Sequence, residues 1–84
     1  MIYSIKIKAS AKKSLIKLEK SNRLRLIKHI DALANNPFKG SQLKGELTGL
    51  RRIRVGQYRV IYEVQNEALV VLVIRIGHRK EIYR

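Results

Sequence analysis

Leu50-Arg51-Arg52-Ile53-Arg54-Val55-Gly56-Gln57-Tyr58-Arg59-Val60-Ile61-Tyr62-Glu63 decides the fold. Apolar residues alternate with arginines on both sides of Gly56-Gln57, a dipeptide suited to a two-residue hairpin turn in which glycine supplies the positive φ. With that turn, Val55 faces Tyr58, Arg54 faces Arg59 and Ile53 faces Val60. Period-two alternation then puts Arg52, Arg54 and Arg59 on one face of two neighbouring strands, and Ile53, Val55, Tyr58 and Val60 on the other. Strands are expected over 50–55, 58–65 and 68–76. In the third, Val70-Val71-Leu72-Val73-Ile74 is apolar at every position and reads as a central strand covered on both faces. Gly77 is expected to end it, with Ile82-Tyr83 as a short addition.

Towards the N-terminus the period changes. Residues 2–8 alternate, with Ile5 and Ile7 facing one way and Lys6 and Lys8 the other, as in a half-buried strand. From Ser10, read as an N-cap, Ala11, Leu15 and Leu18 fall at helical intervals. Ser21 and Asn22 break the chain, and Leu26, Ile27, Ile30, Leu33 and Ala34 form a second stripe that Asn35-Asn36-Pro37 stops. Residues 38–49, with three glycines, show neither period and are long for a connection, which leans towards a functional loop. The expectation is one α+β domain over residues 1–84: an N-terminal strand and a two-helix hairpin packed on a mainly antiparallel four-stranded sheet.

The length of 84 residues leaves no room for a second core, and 45% apolar residues are enough to pack one. No apolar run approaches the roughly 18 residues of a membrane span and the start lacks a secretory signal, so a cytoplasmic protein with no membrane partner is expected. The absence of cysteine removes disulfides, thiolate zinc sites and a thiol nucleophile, and two isolated histidines with six acids make a metal centre or other cofactor unexpected. Nineteen Lys and Arg against those acids leave a formal +13, which favours association with polyanions, nucleic acid first among them. The two cations are segregated. Nine of ten lysines precede residue 50, and seven of nine arginines follow residue 49. Because a planar guanidinium grips phosphate at two points, the second half is the place to look for phosphate contact.

Arg54 directly opposite Arg59 is destabilising by a few tenths to about 1 kcal/mol, so folding alone does not account for it. The plain reading is that the arginines splay into solvent, or that Glu63 on the same face relieves them. The functional reading is that fixed donors around one spot stabilise a phosphate gaining charge in a transition state. Arginine is a poor proton carrier, so a second group is needed. The tail Gly77-His78-Arg79-Lys80-Glu81-Ile82-Tyr83-Arg84 offers His78, whose ordinary pKa is about 6.5, and Tyr83, if neighbouring cations lower its pKa. A surface histidine and a packing tyrosine are the plainer alternatives. His29 lies off the helical stripe, and Tyr3, Tyr58 and Tyr62 read as core or sheet residues.

The Arg-x-Arg-Val-Gly-x-Tyr-Arg-Val-x-Tyr run, the Val-rich strand and the Gly-His-Arg-x-x-x-Tyr tail together resemble the RelE group of the RelE/ParE toxin superfamily, the toxin halves of type II toxin–antitoxin pairs. The resemblance covers nearly the whole chain, including Leu43-Lys44-Gly45 ahead of Gly49-Leu50. It implies a ribosome-dependent endoribonuclease that cuts messenger RNA in the decoding site. There the RNA's own 2′-hydroxyl attacks the adjacent phosphate without metal and leaves a cyclic phosphate. By position, Arg52 and Arg54 take the places of two basic residues that are commonly lysines. Arg59 and Arg79 match transition-state-stabilising arginines, Tyr83 matches a tyrosine that orients or stacks on substrate, and His78 stands where relatives have histidine or lysine. Arginine at 52 and 54 removes the more easily shifted acid or base, so proton transfer falls to His78 or Tyr83, or electrostatics act alone.

The resemblance implies the ribosome, its RNA and the message as partners, with Lys12, Lys13, Lys17 and Arg51 as candidate contacts. It also implies a RelB-like cognate antitoxin in a hetero-oligomer. With the sequence stopping at Arg84, inhibition is expected by direct coverage of the arginine face. The alternatives are a ParE-like toxin that poisons DNA gyrase without cutting RNA, and a non-enzymatic basic RNA-binding domain.

Overall fold

In the computed structural model, residues 2–78 are described. Strand β1 (Ser4–Ile7) leads into helices α1 (Ala9–Ile16) and α2 (Lys20–Ala32), a two-residue strand β2 (Ser41–Gln42), a 3-10 turn at Gly45–Leu47, and strands β3 (Arg51–Val55), β4 (Tyr58–Gln65) and β5 (Val70–His78). The five strands form one sheet in the order β1-β5-β4-β3-β2. β1 runs parallel to β5 at one end, and all other pairs are antiparallel. The α+β class stands, with five strands where four were expected. The extra strand is β2, too short and too close to glycines for alternation to reveal it.

One face of the sheet carries the core. Ile5, Ile7, Ile53, Val55, Tyr58, Val60, Tyr62, Val64, Val71, Val73 and Ile76 meet Ala11, Leu15, Leu26, Ile30 and Leu33 from the two helices. α1 lies over β5 and α2 over β3. Lys8, not Ser10, is the N-cap of α1, and no side chain caps it; Ser10 lies inside the first turn, where its carbonyl accepts from the Ser14 hydroxyl at 3.3 Å. The break between helices is at 17–19, and Ser21 and Asn22 belong to the first turn of α2. Among the described residues, no helix is long and apolar enough to cross a membrane.

Two backbone features set what the other face displays. Gly56 has φ +61° and Gln57 does not share the positive sign, so the turn is of the type that places glycine first and lets the strand twist continue. The pairing is the expected one: Val55 with Tyr58, Arg54 with Arg59, Ile53 with Val60. The second feature is a β-bulge. Ile61 pairs with Arg75 but Tyr62 pairs with Val73, which leaves Ile74 as an extra residue. Its presence keeps both Val73 and Ile76 in the core and turns Arg75 outward. β5 also continues past Gly77, so the expected end of the strand is corrected to His78. The expected strand at Ile82-Tyr83 lies outside the described residues.

Candidate active site

The face of the sheet away from the helices carries the arginines. Arg52 and Arg54 project from β3 and Arg59 from the neighbouring strand, with Arg54 and Arg59 directly paired. Beyond them, Arg75 of β5 stands opposite Ile61 on the same face and is exposed. Arg59 is only 6% exposed, whereas Arg54 is open to solvent. A guanidinium at that depth keeps its charge, because it cannot deprotonate near neutral pH. In a less watery setting its pull on a phosphate is stronger than at the surface. Arg54 makes no hydrogen bond or ion pair with a described residue, and the Glu63 carboxylate accepts from Gln65 Nε2 at 2.7 Å.

An open depression of about 480 Å³ lies beside this cluster, lined by Lys39, Gly40, Ser41, Arg52, Ile53 and Arg54. Lys39, Ser41 and Arg75 were not among the residues expected from the sequence. Lys39 and Ser41 reach the site because β2 pairs with β3, Ser41 opposite Arg52. Arg75 comes to the arginine face, though not to this depression, because of the bulge; it borders a separate depression with Lys8, Ser10 and Ser14. A glycine-rich irregular stretch and an unbroken apolar run carry no period from which either could be read.

The loop that brings Lys39 here is held from behind. Tyr62 is completely buried; its hydroxyl donates to the Pro37 carbonyl at 2.7 Å and accepts from the Gly40 N–H at 2.9 Å. Burial pushes the Tyr62 pKa above its ordinary value of 10.0, with the Gly40 bond and the Arg51 charge pulling the other way. Arg51 alternates to the helix side of the sheet. Its Nη1 donates to the carbonyls of Gly40 at 2.7 Å and Phe38 at 3.3 Å, and its guanidinium lies 5.0 Å from the Phe38 ring centre. The structure therefore gives Arg51 a place in holding this loop, apart from the arginine face, instead of the open nucleic-acid contact expected for it.

The expected group is divided further. His78 pairs with Tyr58, while Gly77 stands opposite Arg59. The two rings meet edge to face, 5.7 Å apart at 82°, so His78 faces the helix side and is not brought to the arginine cluster. The cause is the bulge at Ile74, which shifts the alternation of every later residue in the strand. A cavity of about 450 Å³ beside His78 is lined by Ser14, Lys17, Leu18, Tyr58, Ile76 and Gly77. Lys12 and Lys13 on α1, and Lys17 at its C-cap, are exposed across the sheet from the arginines. Arg79 and Tyr83 lie outside the described residues. Among the described residues, no group of three His, Cys, Asp or Glu side chains gathers as a metal site.

Comparison with known proteins bears on this geometry. The family model described as "ParE toxin of type II toxin-antitoxin system, parDE" matches residues 5–83. Toxin RelG of Mycobacterium tuberculosis is 30% identical over 86 aligned positions, covering 100% of this chain and 99% of the relative. Toxin RelE of the same organism is 32% identical over 84 positions, covering 98% and 87%. Among solved structures, the M. tuberculosis toxin–antitoxin complex RelBE2 superposes with a TM-score of 0.87 at 27% identity, over 94% of this chain and 100% of that one. The isolated Escherichia coli RelE toxin does so with a TM-score of 0.80 at 29% identity, over 96% and 90%. Sequence and fold agree, and the chain belongs to the RelE-type toxins of the RelE/ParE superfamily, the toxin components of type II toxin–antitoxin systems.

Proposed function

We propose that this toxin is an endoribonuclease that cuts messenger RNA in the ribosomal decoding site, with the arginine face as its active surface. The observation that carries the reading is Arg54 paired with a nearly buried Arg59, Arg52 one pleat away, on the sheet face opposite helices α1 and α2. Such an arrangement costs stability and suits a phosphate. In the reaction, the 2′-oxygen forms a bond to the adjacent phosphorus as the bond to the 5′-oxygen of the next nucleotide breaks. The products are a 2′,3′-cyclic phosphate and a 5′-hydroxyl. Negative charge builds on the non-bridging oxygens, and the guanidiniums beside them, Arg59 among them at low exposure, stabilise it on the scale of about 3 kcal/mol per well-placed donor.

The proton leaving the 2′-hydroxyl needs an acceptor and the departing oxygen a donor. His78 is on the wrong face for either task. Tyr83 and Arg79 keep the roles that the resemblance implies, and the cluster supplies the electrostatics. Lys12, Lys13 and Lys17 on the opposite surface are suited to ribosomal RNA phosphates while the arginines meet the message, a division of labour that gives the +13 charge two uses. Such a toxin works in the cytoplasm. Several similar structures are complexes with RelB antitoxins, including those of Pyrococcus horikoshii and Methanococcus jannaschii. A RelB-like partner is accordingly proposed here, one that covers cationic surface.

The test is to add the purified toxin to translating ribosomes and map the message ends. Cuts in phase with codons, abolished by Arg59→Ala, support the nuclease. The matching family model carries the ParE name, which keeps gyrase poisoning as a second reading. Intact message with trapped gyrase–DNA complexes would establish it. RNA binding with neither outcome would leave a non-enzymatic basic domain.

A further inference from the structure

The loop beside the arginines is fastened along its backbone, while the Lys39 side chain stands at the depression. Pro37 and Gly40 are tied to the Tyr62 hydroxyl, Phe38 and Gly40 to Arg51, and the Lys39 N–H donates to the Asn36 carbonyl at 3.3 Å. Even the space is filled: a Cβ on Gly40 would lie 2.6 Å from the Tyr62 hydroxyl oxygen and 2.7 Å from the Arg52 carbonyl oxygen. Lys39 itself is exposed, lines the same depression as Arg52 and Arg54, and makes no side-chain bond to a described residue. A flexible ammonium fixed at its base is a point charge with its backbone entropy already spent, suited to one phosphate.

We propose that Lys39 binds the RNA phosphate next to the one that is cut, and that Tyr62 and Arg51 act as positioning residues by fixing the loop beneath it. This rests on the nuclease reading for the identity of the ligand as single-stranded RNA. Lys39 lines the same depression as Arg52 and Arg54, so a message whose cut phosphate sits at Arg54 and Arg59 presents its neighbouring phosphate to a charge on the rim of that depression. Arg52 and Arg54 set the position of one phosphate; Lys39 sets the direction in which the strand leaves it.

The test uses a trinucleotide RNA with a single 2′-deoxy sugar, which cannot be cut at that step and is short enough to stay on one face. Titrated into the isotope-labelled protein, it should shift the amide signals of Lys39, Ser41, Arg52 and Arg54. Lys39→Ala should weaken binding on the order of tenfold, Lys39→Arg should restore it to within about twofold, and Lys28→Ala on α2 should leave it unchanged. Tyr62→Phe should weaken binding in the parent and add nothing once Lys39 is alanine, an outcome that a merely structural tyrosine would not give. Binding of Lys39→Ala within about twofold of the parent, equal effects of Tyr62→Phe in both backgrounds, or shifts confined to another surface would each overturn the proposal. An uncut message on ribosomes, by contrast, would remove the nuclease reading and leave this binding result standing.

Discussion

Replacing Gly40 with alanine puts a methyl group where the fold has no room for one. The added carbon would stand 2.6 Å from Tyr62 Oη, 2.7 Å from the Arg52 carbonyl oxygen and 3.0 Å from Tyr62 Cε1. The tyrosine is fully buried and bonded at both ends of its hydroxyl, and the carbonyl belongs to the backbone of β3, so neither can swing aside. Overpacking a filled interior costs about 1–3 kcal/mol. Displacing the loop also weakens the Gly40 N–H bond to Tyr62, about 1 kcal/mol more, for a total of roughly 2–4 kcal/mol. In a domain of this size that lowers Tm by roughly 10–30 °C. Thermal unfolding followed by circular dichroism measures it. The same substitution in a Tyr62→Phe background should cost less, since the shortest contact is gone, yet still destabilise because Arg52 remains. A Gly40→Ala protein melting within about 3 °C of the parent would show that the loop yields and that the clamp beneath Lys39 is loose.

Neutralising Arg54 as Arg54→Gln removes one of two opposed guanidiniums and should leave stability unchanged or raise it by up to about 1 kcal/mol in urea unfolding, whereas a marked loss would mean that Arg54 is structurally paired. Tyr62 gives a pH dependence of known sign. Its folded pKa lies above 10.0, so from about pH 10 the unfolded chain releases a proton that the folded chain retains. That part of the stability is complete below pH 10 and falls as pH rises, by up to about 1.4 kcal/mol per pH unit, and Tyr62→Phe should flatten the decline. His78→Ala should keep the single-turnover cleavage rate within about threefold, because its ring faces Tyr58; a loss on the order of a hundredfold with an altered pH profile would place the imidazole in the chemistry.

The hairpin register was legible because two strong local signals agree: a glycine in a two-residue connection, and arginine alternating with apolar residues on both sides. Ile5 and Ile7 marked β1 in the same way, and the helical stripes through Leu15, Leu26 and Ile30 marked the layer that covers the sheet. Legibility failed where alternation is erased. In Val70-Val71-Leu72-Val73-Ile74 every residue is apolar, so a bulge leaves no trace in the pattern, and everything beyond it changes sides without warning. That one extra residue brought Arg75 to the arginine face and took His78 away. Arg51 illustrates a different limit. Its neighbours Arg52 and Arg54 lie on the open face of the sheet, but its partners, Phe38 and Gly40, come from a loop whose course only tertiary packing sets. Lys39 was hidden for the same reason.

The central claim is that Arg54 and Arg59 act on one phosphate, and a double-mutant cycle on cleavage measures it most directly. Single-turnover cleavage of ribosome-bound message should fall on the order of 10²–10³-fold for Arg59→Gln and measurably for Arg54→Gln. The double variant should lose far less than the product of the two, as expected for groups sharing one charge. Losses that multiply independently, or cleavage that survives both substitutions, would contradict it.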